Sequence, residues 1–262
     1  EIIYDTKSAH RADYDAEVLA NCWMSLRTSF IKKDPNIMHK DLEKLEIPNS
    51  SLKYLRSSHV VLIAKNHEGL KDLYKIISYA HCDTMGSQPL VPRHLISEYR
   101  KNLFVGSACF NGEVFYSSTN RSMKKLHEAV KFYDYIEIQP LENYSYLINM
   151  NEIPSEKMLK QYIKDIISVA EMENKLICAT GDCHYLNPED KIYRDVYISN
   201  QAVGGVNHPL MPFSRSNRQV EDNYFFENPD QHFRSTDAML DCFRWLGEEQ
   251  AYEYVIKNTN II

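Results

Sequence analysis

The sequence predicts an α/β protein in which short strands alternate with helices. Four short apolar runs, rich in β-branched residues, have the length and composition of strands. They occupy residues 60–64, 103–105, 135–138 and 176–180. Helical periodicity or a helix start signal follows each run, and this β-α repeat favours a parallel sheet or barrel with helices outside it.

One predicted helix precedes this repeat. Apolar residues recur there at alternating steps of four and three, which indicates a single apolar helical face. They are Ala12, Ala16, Leu19, Trp23, Leu26 and Phe30. Pro35 ends the pattern, and the polar residues from there to Ser58 are typical of a linker.

The repeat itself begins with the run 60–64, whose continuous apolar character is expected of a strand covered on both faces. Each of the next three helices is predicted from apolar residues that share one face. The three sets are Leu70, Leu73, Tyr74 and Ile77; Met123, Leu126, Val130 and Tyr133; and Leu159, Tyr162, Ile163, Ile166, Ile167 and Ala170. A further helix is predicted to begin near Pro188.

The C-terminal part starts with glycines and prolines, which predict long loops from Gln201 to Asp230. Two helices then close the chain. Thr236 is the expected N-cap of the first helix, and Gly247 marks its boundary with the second.

The composition disfavours an autonomous nucleic-acid-binding domain, a membrane-spanning protein and a disulfide-linked one. A formal net charge of −6 disfavours an autonomous nucleic-acid-binding domain, because such domains are usually basic. No stretch approaches the roughly 20 consecutive apolar residues of a membrane span. The six cysteines lack the spacing of a disulfide framework, which favours reduced thiols in the cytoplasm. Because Glu1 is neither an initiator Met nor part of a signal sequence, we expect a piece of a longer polypeptide.

The first motif with chemical meaning is His10-x-Ala12-x-x-Asp15, at the start of the first helix. One interpretation is that these polar residues only cap the helix. The other is a two-metal nuclease, in which His10 is the general base and Asp15 is a metal ligand.

The second motif, Asp182-Cys183-His184, directly follows the fourth strand run. In an extended chain Asp182 and His184 point to the same side, and such a pair suits Zn²⁺, Mn²⁺ or Fe²⁺. Asp182 as a helix cap beside an incidental His184 is the alternative. A local zinc site formed by Cys178 and Cys183 is disfavoured by their spacing and opposed directions.

Two further candidates lie beside strands. Cys109 follows the second run within a glycine-containing turn, where it is either a metal thiolate or a small buried apolar residue. His59 opens the first run, a position at which a single histidine is usually structural.

In this order, the motifs resemble the PHP (polymerase and histidinol phosphatase) domain of PolC-type DNA polymerase III alpha subunits. The residues around His10 are similar to the final motif of DnaQ-like proofreading exonucleases, which in that family are inserted into the PHP domain. Flanking segments add to the likeness: Lys65-Asn66-x-x-Gly69-Leu70-x-x-Leu73, Leu186-Asn187-Pro188-Glu189-Asp190, Phe233-Arg234-Ser235-Thr236 and Leu246-Gly247-Glu248-Glu249.

The resemblance implies a fold and a division of the chain. Residues 1–34 would be the C-terminal end of the exonuclease insertion, and residues 35–57 a linker returning to the barrel. Residues 58–262 would be the C-terminal part of a PHP domain leading toward the polymerase palm. The fold would be part of a distorted (βα)7 TIM-like barrel.

The same resemblance implies a set of site residues. His59, Cys109, Asp182 and His184 match ligands of the PHP metal cluster, whose opening His-x-His is absent from this chain. His10 and Asp15 match the general base and a metal ligand of the exonuclease. Glu113 and Glu137 are candidates only for positions beside the metal ligands, where they would contact a ligand and not the metal. His81, His94, His127, His208 and His232 are expected at the surface or in packing.

The implied function belongs to the parent polypeptide, a replicative DNA-directed DNA polymerase with 3′–5′ exonuclease activity. Its cofactors would be Zn, Mn or Fe at the PHP site and Mg for polymerase and exonuclease. DNA, dNTPs and replisome subunits such as the sliding clamp would be its partners, in the cytoplasm and with no membrane. A free-standing PHP phosphoesterase similar to histidinol phosphatase is the alternative, and a non-catalytic metal-braced scaffold is a third possibility.

Overall fold

The computed structural model describes residues 12–33, 35–36, 57–86, 88–199, 210 and 228–262. Contacts between Cα atoms divide the chain into two compact units, Glu1–Leu55 and Arg56–Ile262. No helix within the described ranges is long and apolar enough to cross a membrane. His10 lies outside the described residues. So do residues 37–56, which make up most of the predicted linker.

The first unit contains the predicted N-terminal helix, α1 (Ala12–Lys33). Asp13 and Asp15 lie in its first turn, where the partial positive charge of a helix N-terminus favours carboxylates. The predicted apolar face is present but not buried, since Leu19 is 71% and Leu26 is 52% exposed.

The second unit is built on a four-stranded sheet with the strand order β1-β2-β3-β4. The strands are β1 (Val61–Ala64), β2 (Leu103–Gly106), β3 (Tyr135–Ile138) and β4 (Leu176–Ala179). All four predicted strands are therefore confirmed to within one residue at each end.

The direction of β1 departs from the predicted parallel arrangement. β2, β3 and β4 run parallel, whereas β1 pairs with β2 antiparallel, with Val61 opposite Gly106 and Ala64 opposite Leu103. At the end of β1 the Lys65 amide donates to the Asn102 carbonyl at 2.9 Å, so the antiparallel pairing extends to the residue before β2.

Coverage of β1 is also incomplete, contrary to the prediction of a strand buried on both faces. Ile63 is 36% exposed, whereas Leu103 and Val105 of β2 are fully buried. Within the described residues β1 lies at one edge of the sheet and has β2 as its one strand neighbour.

Helices cover the sheet and form the core with it. They are α2 (His67–Cys82), α3 (Arg93–Tyr99), α4 (Glu113–Asn120), α5 (Met123–Phe132), α6 (Ser145–Asn149), α7 (Glu156–Met172), α8 (Lys191–Ser199), α9 (Thr236–Phe243) and α10 (Glu248–Tyr252). The most regular predicted helix, α7, buries Leu159, Ile163 and Ile166 as its periodicity requires. α3, α4 and α6 were not predicted.

The buried face of α2 differs from the face that the sequence pattern selected. Leu70, Tyr74 and Ile77 are exposed, while Gly69 and Ile76 are buried. Gly69 lets the helix approach the Asn102 carbonyl so closely that a Cβ atom would lie 2.2 Å from that oxygen. The helix therefore turns its small residue inward, because the backbone of the turn before β2 occupies the space of a side chain.

The C-terminal helices agree with the prediction except in one cap. Ser235, not Thr236, caps α9, since its Oγ accepts from the Ala238 amide at 3.3 Å. Gly247 separates α9 from α10. Its φ of +119° is a backbone conformation that residues other than glycine rarely adopt.

The close approach of α2 predicts a strong effect of one methyl group. Gly69→Ala should lower the free energy of unfolding by about 3 kcal/mol, because the new Cβ meets backbone that cannot rotate away. Gly86→Ala is the matched control, since its Cβ would have contacts no closer than 3.7 Å. Urea unfolding of both variants measures the difference, and equal midpoints would contradict the packing argument.

Candidate functional site

The reversed direction of β1 places His59 at the same edge of the sheet as the residues that follow the parallel strands. Because β1 is antiparallel to β2, its beginning lies beside the carboxyl end of β2. The His59 amide donates to the Asn111 carbonyl at 3.1 Å, in the loop after β2. A residue before one strand thereby meets residues that follow another.

His59 and Cys109 are in direct contact. The Cys109 Sγ lies 3.3 Å from the His59 Nδ1, although 50 residues separate the two in sequence. The loop that presents Cys109 is tight: Ala108 has φ of +60°, and the Gly112 amide donates to the Cys109 carbonyl at 2.7 Å. A Cβ at Gly112 would lie 2.2 Å from the Ser107 carbonyl oxygen, so this turn requires glycine.

Asp182 approaches the same place from the loop after β4. It has φ of +48°, an uncommon conformation for a residue with a side chain. Its carboxylate accepts a hydrogen bond from the Gln231 Nε2 at 2.8 Å. It also lies near enough to Cys109 and Glu137 to raise the pKa of each.

Glu137 of β3 is the fourth polar group at this edge. Its Oε2 accepts from the Thr180 hydroxyl at 2.9 Å, and its amide donates to the Ser107 Oγ at 2.8 Å. The Tyr135 hydroxyl is a further hydrogen-bond partner of its carboxylate. A Cβ at Gly106 would lie 2.3 Å from the Tyr135 ring and 2.8 Å from the Glu137 Oε1, so the missing side chain makes room for this pair.

Burial raises the pKa of two acids in the cluster, Cys109 and Glu137. Burial raises the pKa of Cys109 to about 11, and the Asp182 and Glu137 carboxylates add to that shift. Burial likewise raises the pKa of Glu137, with a further contribution from Asp182. A bound cation would reverse these shifts, because it stabilises the thiolate and carboxylate forms.

The backbone that carries His184 is not the extended chain that strand alternation assumed. Its Nδ1 lies 2.8 Å from the carbonyl oxygen of Asp182, and its side chain is exposed. The prediction assumed an extended chain, and the positive φ of Asp182 breaks that geometry. Within the ranges that the structure describes, no three His, Cys, Asp or Glu side chains lie close enough together to hold a metal ion.

Other candidates have separate environments. Glu113 pairs with the Arg93 guanidinium and accepts from the Tyr133 hydroxyl at 3.3 Å. Asp15 lies in the first turn of α1. Cys178 is buried and Cys183 exposed.

Three of the histidines expected in packing or at the surface have local partners. His81 contacts the Ile77 carbonyl, His127 contacts Glu173 and His232 contacts Asp230.

Sequence reasoning missed Gln231. It belongs to no motif and lies 49 residues after its partner Asp182. The nearby signals, Pro229 in a predicted loop and the segment Phe233-Arg234-Ser235-Thr236 of the family resemblance, did not indicate a role for Gln231 itself. Its role depends on a long-range contact that single-sequence patterns do not contain.

The raised pKa of Glu137 predicts a pH-dependent effect of removing its charge. Since its pKa lies above 4.5 in the folded chain, the folded state binds that proton more tightly than the unfolded state. Stability is therefore lost as pH rises from 4.5 through the raised pKa. In chelator, Glu137→Gln should gain stability relative to the unsubstituted chain as pH rises through this window. Urea unfolding across the window measures it, and a difference independent of pH would contradict the assignment.

Comparisons with known proteins place this geometry in a family. A family model for the PHP domain matches residues 10–141, about half of the chain. The chain is 38% identical over 255 residues to the DNA polymerase III PolC-type of Halalkalibacterium halodurans, covering 97% of this chain and 16% of that protein. It is 38% identical over 250 residues to the DNA polymerase III PolC-type of Bacillus subtilis, covering 95% of this chain and 16% of that protein.

A third relative, the DNA polymerase III PolC-type of Listeria welshimeri, is 37% identical over 254 residues, which is 97% of this chain and 16% of that protein. The chain thus spans about one sixth of the length of the curated relatives it matches. The family model and the polar cluster at the strand ends lead to one conclusion: the chain belongs to the PHP domain family.

Proposed function

We propose that this chain is part of a replicative DNA-directed DNA polymerase of the PolC type. The observation that carries the proposal is 38% identity along 97% of the chain to a protein of that name. The likeness runs through both compact units, so it includes the His10 motif as well as the strand-end cluster. A free-standing phosphoesterase offers no explanation for that N-terminal motif.

The proposed domain organisation assigns residues 1–34 to the end of an inserted 3′–5′ exonuclease, 35–57 to a linker and 58–262 to the PHP domain. The division of contacts between Leu55 and Arg56 supports it. His10 would remove a proton from the attacking water, and Asp15 would bind Mg²⁺ with carboxylates outside this chain.

For the second unit we propose part of a distorted (βα)7 barrel. Three parallel strands with helices between them support this assignment. The antiparallel β1 is one source of the distortion. Functional groups in such barrels gather at the carboxyl ends of the parallel strands, which is where Cys109 and Asp182 lie.

The barrel would hold Zn, Mn or Fe through His59, Cys109, Asp182 and His184. The 3.3 Å contact between the His59 Nδ1 and the Cys109 Sγ supports a shared ion, because both atoms are zinc-type donors. Asp182 adds a nearby carboxylate. The resemblance to PHP domains adds further ligands to this set, among them an opening His-x-His that is absent from these 262 residues.

Such an ion would polarise a phosphate oxygen or lower the pKa of a bound water. The chain's own residues would position it: the loop with Ala108 presents Cys109, and Thr180 and Tyr135 hold Glu137 beside the cluster. The partners of the parent protein would be DNA, dNTPs and replisome subunits such as the sliding clamp, in the cytoplasm.

The ligand assignment predicts loss of metal on substitution. The Cys109→Ser plus His184→Ala double variant should lose most of the transition metal that the unsubstituted protein retains when purified without chelator, because two donors are removed. Elemental analysis measures it. His81→Ala plus Cys82→Ser is the matched control, since these residues of α2 lie outside the cluster. Equal metal in the double variant and the unsubstituted protein would exclude these residues as ligands.

The exonuclease assignment predicts separable activities in the full-length polypeptide. His10→Ala should lower 3′–5′ exonuclease activity by about 10²- to 10⁴-fold, the usual contribution of a general base. DNA synthesis should persist, because it would use carboxylates in the palm. Single-turnover degradation and primer extension measure the two activities. Lys7→Ala, three residues before the motif, is the control, and unchanged exonuclease activity in His10→Ala would reject the role.

A further inference from the structure

The segment from Asn228 to Arg234 runs beside the loop that carries Asp182. The His184 amide donates to the Gln231 carbonyl, and the Phe233 amide donates to the Tyr185 carbonyl, both at 2.9 Å. Tyr185 and His232 form a parallel bridge. The chain after β4 is therefore paired with backbone 47 and 48 residues later.

Side chains fasten this pairing at two points. The Tyr185 hydroxyl accepts from the Gln231 amide at 3.0 Å and donates to the Asp230 Oδ1 at 3.0 Å.

The buried Arg234 donates to the Asp230 carbonyl at 3.0 Å and contacts the Asn143 Oδ1 at 3.5 Å. Asn143 in turn donates to the Gly181 carbonyl at 2.8 Å, one residue before Asp182. The loop is thus held on both sides of Asp182.

Within this frame, Gln231 is the residue that contacts the carboxylate itself. It is 2% exposed, and its Nε2 donates to the Asp182 Oδ2 at 2.8 Å. A buried amide with few rotamers open to it fixes the plane and direction of the carboxylate it binds. Asp182 also has φ of +48°. A residue with a side chain keeps this uncommon backbone conformation where the contacts around it hold the backbone in place.

We propose that Gln231 is a positioning residue that holds the Asp182 carboxylate in the orientation needed to bind the metal ion. The inference rests on the proposed metal site. Gln231 donates to one carboxylate oxygen of Asp182, so it would fix the orientation of the side chain that is proposed to hold the ion. A neutral donor serves this purpose because it orients Asp182 without neutralising the negative charge that attracts the cation.

The test is Gln231→Met in the full-length polypeptide, which keeps the length of the side chain and removes the donor. Zn²⁺ affinity, measured by competition with a chelator, should fall about 10- to 100-fold, the usual effect of losing a group that orients a ligand. With Co²⁺ as the probe, the visible absorption spectrum should also change, because it reports the geometry of the ligands.

Asn258→Leu is the matched control for stability. Asn258 is also a buried amide, but it donates to the Ile177 carbonyl at 2.9 Å and not to Asp182. It should lower the urea midpoint measured in chelator and leave the Zn²⁺ affinity and the Co²⁺ spectrum unchanged. An equal loss of affinity in both variants would mean that Gln231 is only structural, and the inference would be overturned.

Asp182→Asn separates this inference from the proposed function. If Asp182→Asn weakens Zn²⁺ binding while Gln231→Met does not, Asp182 is a ligand and the positioning role of Gln231 is wrong. If neither substitution weakens binding, Asp182 is not a ligand, and the proposed metal site and the inference both fail. Weakened binding in both, with the control unchanged, supports the positioning role.

Discussion

The candidate site depends on the antiparallel pairing of β1 with β2. If β1 ran parallel to its neighbour, the residue before it would lie at the opposite edge of the sheet from Cys109. The observed register, with Val61 opposite Gly106, instead brings His59 to the carboxyl ends of the parallel strands. At its other end β1 continues the same pairing, where the Lys65 amide donates to the Asn102 carbonyl and Gly69 lies close to that backbone. The pairing of the two strands therefore determines which residues meet in the site.

This dependence explains why the fold was easier to predict than the site. Runs such as 135–138 and 176–180 are strands because local composition decides them, and α7 is a helix because its periodicity is regular. The direction of β1 is defined by its antiparallel pairing with β2, a contact between distant parts of the sequence that no local pattern encodes. Short helices such as α3 also escape prediction, because seven residues carry too little periodicity.

The candidate residues divide in the same way. Cys109 and Asp182 were predicted from their positions after strands, and the sheet brings both to one edge. His184 was predicted from an alternation that requires extended backbone, and the positive φ of Asp182 does not satisfy it. Gln231 had no signal, because its significance comes from a hydrogen bond to a carboxylate 49 residues away. Sequence therefore identified residues placed by the strands and missed those placed by tertiary contacts.

The absent side chain of Gly106 links the spacing of the sheet to the chemistry of its edge. The ring of Tyr135 fills the volume that a methyl group at position 106 would need, and the Glu137 carboxylate borders the same space. The phenol can therefore lie against the half-buried Glu137 carboxylate, which also accepts from the Thr180 hydroxyl. A larger residue at 106 would separate β2 from β3 and displace that phenol in a single step. Variation at this position would thus alter architecture and acidity together, and the two properties could not evolve independently there.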